Sequence, residues 1–357
     1  MTSPDVIIAG AGIVGSSIAW RLAQHRVLVT LFDVGEMGGE ASTAGAGMLA
    51  PGGEITESSP LAELCLESLR LYPRFVEELE ADSGEKIDFA SNGALEFAFT
   101  PAEWQALQAR AETQRRLGIP SEPAPLPAAL AHFAGAMRFP ADAAVDPRHV
   151  MRALRLACEH HGVKIREHVP VQELQARPGR VDVITDRRVI SAETAVLAAG
   201  AWSNQIATIP PVVEPQSEPV RGHLVSFQLA PDRIAPLREA SIYRHGHTYL
   251  VPRANGELIA GTSSERVGFD RNVDPATVAD ICRRAAEIIP ELQGREPDRA
   301  WIGFRPGLIG SEGPVLDRLP GSGIWRAYGH YRNGILLAPA TAARIAGEVL
   351  AHLSSTS

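Results

Sequence analysis

Three glycines near the start of the chain have the spacing that a dinucleotide-binding turn requires. Gly10, Gly12 and Gly15 form G-x-G-x-x-G between a short apolar run, 5–9, and a run with apolar residues at helical spacing, 13–24. Gly10 would permit the tight turn, Gly12 would let the backbone approach a pyrophosphate, and Gly15 would let the helix pack closely on the strand. The positive end of the helix would then face the phosphates.

An acidic residue follows at the distance that such a site requires. Residues 27–32 are predicted as a second strand, and Asp33 ends it, 18 residues after Gly15. Its carboxylate could accept hydrogen bonds from ribose hydroxyls and would disfavour a 2′-phosphate. The glycines alone leave FAD and NAD open. The loop 42–48, STAGAGM, favours a long cofactor because its small residues permit close approach, although a flexible linker would be equally rich in glycine.

Two arginines late in the chain have surroundings that suit anion binding. Arg305 lies in FRPG and Arg332 in YRNG, and both are predicted in glycine-rich turns rather than on amphipathic helices. A planar guanidinium binds a carboxylate through two parallel hydrogen bonds. From the residues alone, a structural ion pair explains either arginine equally well. Tyr249, in HTYLVPR, lies on a predicted strand, where a core tyrosine is the simpler interpretation.

Five segments, in order along nearly the whole chain, resemble a known family. They are DVIIAGAGIVGSSIAWRLA, GGEASTAGAGMLAP, AVLAAGAWS, WIGFRPG and GHYRNGILLAPATA. Together they resemble the D-amino-acid oxidase superfamily, and most closely its glycine oxidases of thiamine biosynthesis. The resemblance is most specific at GHYRNGILLAPATA and STAGAGML, and least specific at the glycine motif, which many flavoproteins share.

The resemblance implies a noncovalent FAD and a set of site residues. A substrate carboxylate would be held by Arg305, Arg332 and Tyr249. Ser264 stands where some glycine oxidases have a bulkier apolar residue over the substrate, which argues against a strict preference for glycine. The cofactor contacts that the motif and the resemblance predict are Gly10, Gly12, Ile13, Val14, Gly15, Asp33, Val34, Ser42, Ala46, Gly47, Met48, Val171, Gly200, His330, Arg332, Asn333, Gly334, Ile335 and Leu336.

The elements that must position these residues indicate an α/β fold. It is a Rossmann-like FAD-binding domain with an inserted substrate domain of α+β type, built on an antiparallel sheet. We expect the FAD-binding domain to comprise 1–85, 145–217 and 300–357, and the substrate domain 86–144 and 218–299. Extended segments fill 218–263. Helices are predicted at 61–82, 101–117, 147–161, 275–289 and 339–353.

Composition excludes several other classes of protein. The 357 residues include 34 basic and 42 acidic side chains, and no basic run suggests nucleic acid as a partner. Three distant cysteines without a C-x-x-C pair predict neither disulfides nor a thiolate metal site, and they fit the cytoplasm. The histidines in EHHG and RHGH lack partners for a metal, so no metal is expected. We find no targeting signal and predict no membrane span.

These features predict an enzyme that oxidises the carbon–nitrogen bond of a small amino acid. Candidate substrates are glycine, sarcosine and small D-amino acids, with hydride transfer to the flavin and oxygen as acceptor. The products would be an imine or oxo acid, ammonia and hydrogen peroxide. The alternatives are a dehydrogenase of D-proline or D-alanine that reduces a quinone, a non-catalytic flavoprotein subunit, and a nicotinamide dehydrogenase. The family also suggests a homo-oligomer.

Overall fold

The computed structural model describes residues 3–126, 132–211 and 215–356. In these residues the strands are β1 Val6–Ala9, β2 Val29–Phe32, β3 Met48–Leu49, β4 Phe89–Ala90, β5 Ala94–Ala98, β6 Glu122–Pro123, β7 Gly135–Phe139, β8 Ala143–Val145, β9 Lys164–Arg166, β10 Val171–Arg177, β11 Arg180–Thr185, β12 Val189–Ala192, β13 Thr194–Leu197, β14 Ala207–Ile209, β15 Ser217–Gln228, β16 Ile242–His245, β17 Thr248–Pro252, β18 Glu257–Gly261, β19 Arg299–Leu308, β20 Val315–Arg318 and β21 Ile324–Tyr328. The helices are α1 Ile13–Gln24, α2 Ala41–Ala44, α3 Pro51–Glu54, α4 Pro60–Ser83, α5 Pro101–Arg116, α6 Pro147–His160, α7 Pro231–Leu237, α8 Pro275–Ile288 and α9 Gly334–Thr356, with 3-10 turns at Gly200–Gln205, Pro290–Leu292 and Tyr331–Asn333.

A six-stranded sheet carries the glycine-rich turn. Its order is β20-β21-β13-β1-β2-β9, and all neighbours are parallel except β20 and β21. Strand β1 lies between β13 and β2, and all four of its residues are buried. A strand covered on both faces needs apolar residues throughout, which is why VIIA shows no alternation. The opening β1-α1-β2 unit and the Rossmann-like prediction are confirmed.

The second large sheet has eight strands in the order β19-β15-β18-β17-β16-β5-β7-β6. Its neighbours are antiparallel except β16 and β5, so the predicted antiparallel sheet is confirmed with one parallel pair. Strand β19 pairs with β15 over ten residue pairs. Residues 299–308 therefore belong to this sheet, although the predicted boundary at 300 assigned most of them to the FAD-binding domain. The division into two domains stays a prediction.

The helix predictions hold for α4, α5, α6 and α8, whereas α7 was not predicted. The last helix starts at Gly334, before the predicted start at residue 339. Pro339 therefore lies inside the helix and does not begin it. Proline cannot donate a backbone hydrogen bond, so an interior position normally breaks the helix. Here the Ser68 hydroxyl donates to the carbonyl of Leu336 at 2.7 Å and accepts from the N–H of Ala340 at 3.1 Å. This inserted hydroxyl bridges the interrupted turn.

One helical segment in the described residues, Tyr331–Ser355, is long and apolar enough to cross a membrane, with a mean hydropathy of 1.4. Just over half of its most apolar stretch is buried. Helix α9 packs against α1 and α4, and Ile345 and Val349 are fully buried in the largest core cluster. A core helix passes the same test of length and composition, so this segment alone does not indicate a membrane span.

Candidate active site

A cavity of about 1030 Å³ connects the two large sheets. Its lining includes Ala9 and Phe32 at the ends of β1 and β2, and Leu224, Tyr249 and Arg305 from the eight-stranded sheet. Known sites for small molecules and cofactors occupy roughly 300–1,000 Å³, so the volume suits a large cofactor.

Nearly all the predicted site residues line this cavity. Tyr249, Arg305 and all but two of the predicted cofactor contacts are among the lining residues. The exceptions are Gly15, which lies behind the turn, and Leu336, which is 1% exposed within the core. The sequence therefore identified the walls of the cavity, while each residue's contact with FAD stays a prediction.

The glycine-rich turn has no space for side chains. Gly10 has a φ of +110°, and a Cβ atom there would lie 2.3 Å from the carbonyl oxygen of Ala198. A Cβ atom at Gly15 would lie 1.9 Å from the carbonyl oxygen of Gly10. Helix α1 thus starts in direct contact with the turn. The Ser42 hydroxyl accepts a hydrogen bond of 2.8 Å from the N–H of Ile13, which fixes the following loop across the helix start.

Asp33 joins this turn to the end of β2. Its carboxylate accepts hydrogen bonds from the N–H of Ala11 at 2.7 Å and from the N–H of Gly35 at 2.8 Å. Burial raises the pKa of Asp33, and these two bonds oppose that shift. The carboxylate lines the cavity where an acceptor for ribose hydroxyls is expected.

The residues at this end fit an adenine dinucleotide. Residues of the turn, of loop 38–48 and of 330–335 form the walls. Gly47 has a φ of +74°, and a Cβ atom there would lie 1.9 Å from the carbonyl oxygen of Val145. Residues without side chains allow a ligand to approach the backbone closely. The turn, the start of α1, Asp33 and this loop would hold FAD.

Arg305 lies in the eight-stranded sheet, at the other end of the cavity. The prediction of a glycine-rich turn was wrong, since Arg305 is on β19 opposite Val220. Flanking Pro306 suggested a turn, but β19 is an edge strand, where proline is tolerated. The guanidinium donates to the carbonyl of Ser263 at 3.0 Å and to the hydroxyl of Thr262 at 2.6 Å. Burial lowers the pKa of Arg305. Tyr249 acts to raise this pKa, and the positive charge of Arg332 lowers it further.

Arg332 reaches the cavity from the 3-10 turn that precedes α9, where a turn was predicted. Its Nε atom lies 3.3 Å from Oε1 of Glu54, and the two side chains are 24% and 32% exposed. Its neighbour Tyr331 has a φ of +50°, and the Tyr331 hydroxyl lies 3.4 Å from the hydroxyl of Ser264. Ser264 itself is not among the lining residues.

Glycine also shapes the substrate end. Tyr249 is 7% exposed, and a Cβ atom at Gly261 would lie 2.6 Å from its hydroxyl oxygen. A Cβ atom at Gly222 would lie 2.3 Å from Nη2 of Arg305. The phenol and the guanidinium therefore occupy space that these two glycines leave free on neighbouring strands. No local pattern of residues marks either glycine.

Five further charged residues of the cavity were not predicted: Glu36, Glu40, Glu54, Arg244 and Arg271. Arg244 is buried and donates to Glu96 and to Asp142, each at 2.7 Å. Burial acts to lower the pKa of Arg244, but Asp142 and Glu96 outweigh it and hold the pKa above its ordinary value. Arg244 lies in RHGH, a segment considered only as a metal site. Glu54 follows the glycine-rich loop without any motif that distinguishes it.

A βαβ unit whose glycine turn opens onto the same cavity as Arg305 and Arg332 is typical of a dinucleotide-dependent oxidoreductase. The family described as FAD dependent oxidoreductase, abbreviated DAO, matches residues 5–348. The chain belongs to this family and is an FAD-dependent oxidoreductase. The resemblance seen in the sequence is thereby confirmed.

Individual relatives agree with the family. The chain is 33% identical to the glycine oxidase of Geobacillus kaustophilus over 356 residues, 96% of this chain and 92% of the relative. It is 34% identical to the bifunctional protein ThiO/ThiG of Synechocystis, covering 98% of this chain but only 52% of that longer protein. The crystal structure of the Geobacillus glycine oxidase superposes with a TM-score of 0.89 at 31% identity, covering 98% of this chain and 95% of that one.

Proposed function

We propose that this flavoenzyme oxidises the carbon–nitrogen bond of glycine, sarcosine or a small D-amino acid. The observation that carries the proposal is the shared cavity, because the glycine turn and Asp33 line one end while Arg305, Arg332 and Tyr249 line the other. The similarity to glycine oxidases supports the same substrate class. Oxygen is the proposed acceptor, and the products are an imine or oxo acid, ammonia and hydrogen peroxide.

The protein's part in the reaction is to bind and orient the substrate. The guanidinium groups of Arg305 and Arg332 and the phenol of Tyr249 hold the substrate carboxylate, and this fixes the direction of the α-carbon. The redox chemistry would come from FAD held by the glycine turn, the start of α1 and Asp33, as the hydride acceptor for that carbon. Arg305 is held by the Thr262 hydroxyl and the Ser263 carbonyl before the substrate arrives, so little reorganisation is required.

A dehydrogenase acting on D-proline or D-alanine and reducing a quinone is the second candidate. The observation in its favour is the small side chain of Ser264, whose hydroxyl lies 3.4 Å from that of the cavity-lining Tyr331, since a serine restricts the size of a substrate less than the bulkier apolar residue of some glycine oxidases. Fast formation of peroxide would argue against this candidate. A non-catalytic flavoprotein subunit is a third, less favoured function, because Arg305 and Arg332 at the substrate end of the cavity would then have no anion to bind.

The experiment is to mix the purified yellow protein anaerobically with glycine, sarcosine, D-alanine and D-proline in turn. Loss of flavin absorbance identifies the substrate, and the rate of recovery after air is admitted, together with peroxide formation, identifies the acceptor. We expect at least one of these compounds to reduce the flavin within seconds. If none does, the proposed substrate class is wrong, and if reoxidation by air is slow while a quinone acts quickly, the dehydrogenase is correct.

A further inference from the structure

One carboxylate lies at the substrate end of the cavity, beside the guanidinium of Arg332. Four acidic residues of the described chain line the cavity: Asp33, Glu36, Glu40 and Glu54. Asp33, Glu36 and Glu40 belong to the strand end and loop at the cofactor end. Glu54 alone contacts the substrate arginines, with its Oε1 atom 3.3 Å from Nε of Arg332. Its charge also acts on Arg305.

The short helix α3 holds Glu54 in a fixed place. The carbonyls of Gly52 and Ile55 accept hydrogen bonds from the buried Gln114 amide at 2.8 and 2.7 Å. The N–H of Gly52 donates to Asp142 at 3.1 Å. Gly53 lies against Arg244, since a Cβ atom there would come within 3.0 Å of its guanidinium. Glu54 therefore projects from a backbone that buried side chains support on both sides.

Two guanidinium groups without a counter-charge would attract any small anion, including acetate and 2-hydroxy acids. A carboxylate beside them repels a ligand that is purely anionic and attracts one that also carries an ammonium group. In the part of the chain that the structure describes, Arg332 is the only ionic partner of Glu54, so one carboxylate oxygen stays available for such a group.

We propose that Glu54 is a specificity-determining residue that selects zwitterionic amino acids over carboxylates lacking the ammonium group. The carboxylate of Glu54 faces the ammonium group of the arriving substrate, while Arg305, Arg332 and Tyr249 bind its carboxylate. This inference rests on the proposed function, and it adds that discrimination against glycolate, lactate and acetate comes from charge rather than from size. Glycine and glycolate, and D-alanine and D-lactate, form nearly isosteric pairs that isolate this effect.

The test compares both members of a pair on Glu54→Gln holoenzyme. Binding of glycolate or D-lactate is measured by titrating the perturbed flavin absorbance, and binding of glycine or D-alanine by the concentration dependence of anaerobic flavin reduction. We expect the dissociation constant of the amino acid to rise about tenfold, as for loss of one hydrogen bond to a charged group. The constant of the hydroxy acid is expected to fall about threefold, because a nearby negative charge has been removed. Glu57→Gln is the matched control, since it removes a carboxylate from the same segment outside the cavity and should change neither constant.

Opposite shifts for the two ligands support the proposal. Equal weakening of both would mean that Glu54 only orients Arg332, and no change in either would remove Glu54 from the site; both outcomes overturn the inference. Failure of the proposed function is distinguishable, because the unsubstituted enzyme would then show no reduction by any amino acid. Glu54→Asp keeps the charge, so its preference for the amino acid over the hydroxy acid should stay close to that of the unsubstituted enzyme.

Discussion

The two ends of the cavity are built in different ways. The cofactor end is built around a tight backbone turn, with glycines at positions where a Cβ atom would collide with carbonyl oxygens. The substrate end consists of charged and hydroxyl-bearing side chains, and Glu54, Tyr249, Arg305 and Arg332 come from four separate segments. The first end depends on the absence of side-chain atoms, and the second depends on the position of charges. Added atoms should therefore damage the first end, and removed charges the second.

The largest effect is expected from Gly15→Ala. Its new methyl group would lie 1.9 Å from the carbonyl oxygen of Gly10, so α1 must move away from the turn. We expect a loss of roughly 1–3 kcal/mol or more in the free energy of unfolding and a low flavin content, since overpacked sites cost this much. Flavin absorbance per protein and denaturant titration measure both effects.

The matched control is Gly347→Ala, at a glycine of α9 where the added methyl group would meet no heavy atom within 4 Å beyond the adjoining backbone of its own helix. An alanine at this helical position should stabilise the protein by roughly 0.5–1 kcal/mol and leave the flavin bound. If Gly15→Ala retains full flavin and stability, the cofactor end does not depend on close packing.

Arg305→Leu should leave the cofactor end intact while it damages the substrate end. The KM of the amino acid should rise about a hundredfold or more, because each hydrogen bond to a charged group contributes about 1.5–3 kcal/mol. FAD should stay bound, since Arg305 lies on β19 and not in the glycine-rich turn. Steady-state kinetics and the flavin spectrum measure the two outcomes. Arg74→Leu, at an exposed position of α4, is the control, and an unchanged KM for Arg305→Leu would exclude Arg305 from the site.

His330 tests whether the cofactor end tolerates a charge. Burial lowers the pKa of His330 to about 3, from 6.5 in the unfolded chain. Between these values the unfolded state binds the additional proton, so the free energy of unfolding should fall as the pH decreases, by up to about 1.4 kcal/mol per pH unit. His330→Asn should reduce the loss between pH 7 and pH 5.5 by about 1 kcal/mol, whereas exposed His25→Asn should not. Urea titration at the two pH values decides this, and equal slopes for both variants would contradict it.

For Arg332→Leu we expect a smaller effect on the KM than for Arg305→Leu. Arg332 already has Glu54 as a counter-ion, so part of its charge is balanced before a substrate binds. We expect the KM of the amino acid to rise about tenfold. This factor corresponds to the lower limit of the free energy that one hydrogen bond to a charged group contributes. The same kinetic assay measures it. A larger effect than that of Arg305→Leu would reverse the ranking of the two cations.

The predictions for the glycine turn depend on residues close together in sequence and were correct, whereas those for Arg305 and for the start of the final helix depend on contacts between distant segments and were wrong. The βαβ unit, the glycine turn and Asp33 were predicted from the residues because they are neighbours in sequence, and their interactions are local. Arg305 was assigned to a turn, since adjacent proline and glycine suggest one, and only the pairing of β19 with β15 shows it on an edge strand. The sequence predicts the start of the final helix at Pro339, because the hydroxyl that bridges the turn interrupted by this proline belongs to Ser68 on another helix.

The sequence by itself determined the dinucleotide-binding turn and the alternation of elements, because spacing along the chain is sufficient for local geometry, and its five segments carried the resemblance to the family. Only the tertiary structure decided that Glu54 stands beside Arg332, that Gly222 leaves space for the guanidinium of Arg305, and that Thr262 and Ser263 hold it. Those contacts join segments far apart in the chain. The distance between two charges depends on how sheets and helices pack, and no local pattern of residues specifies it.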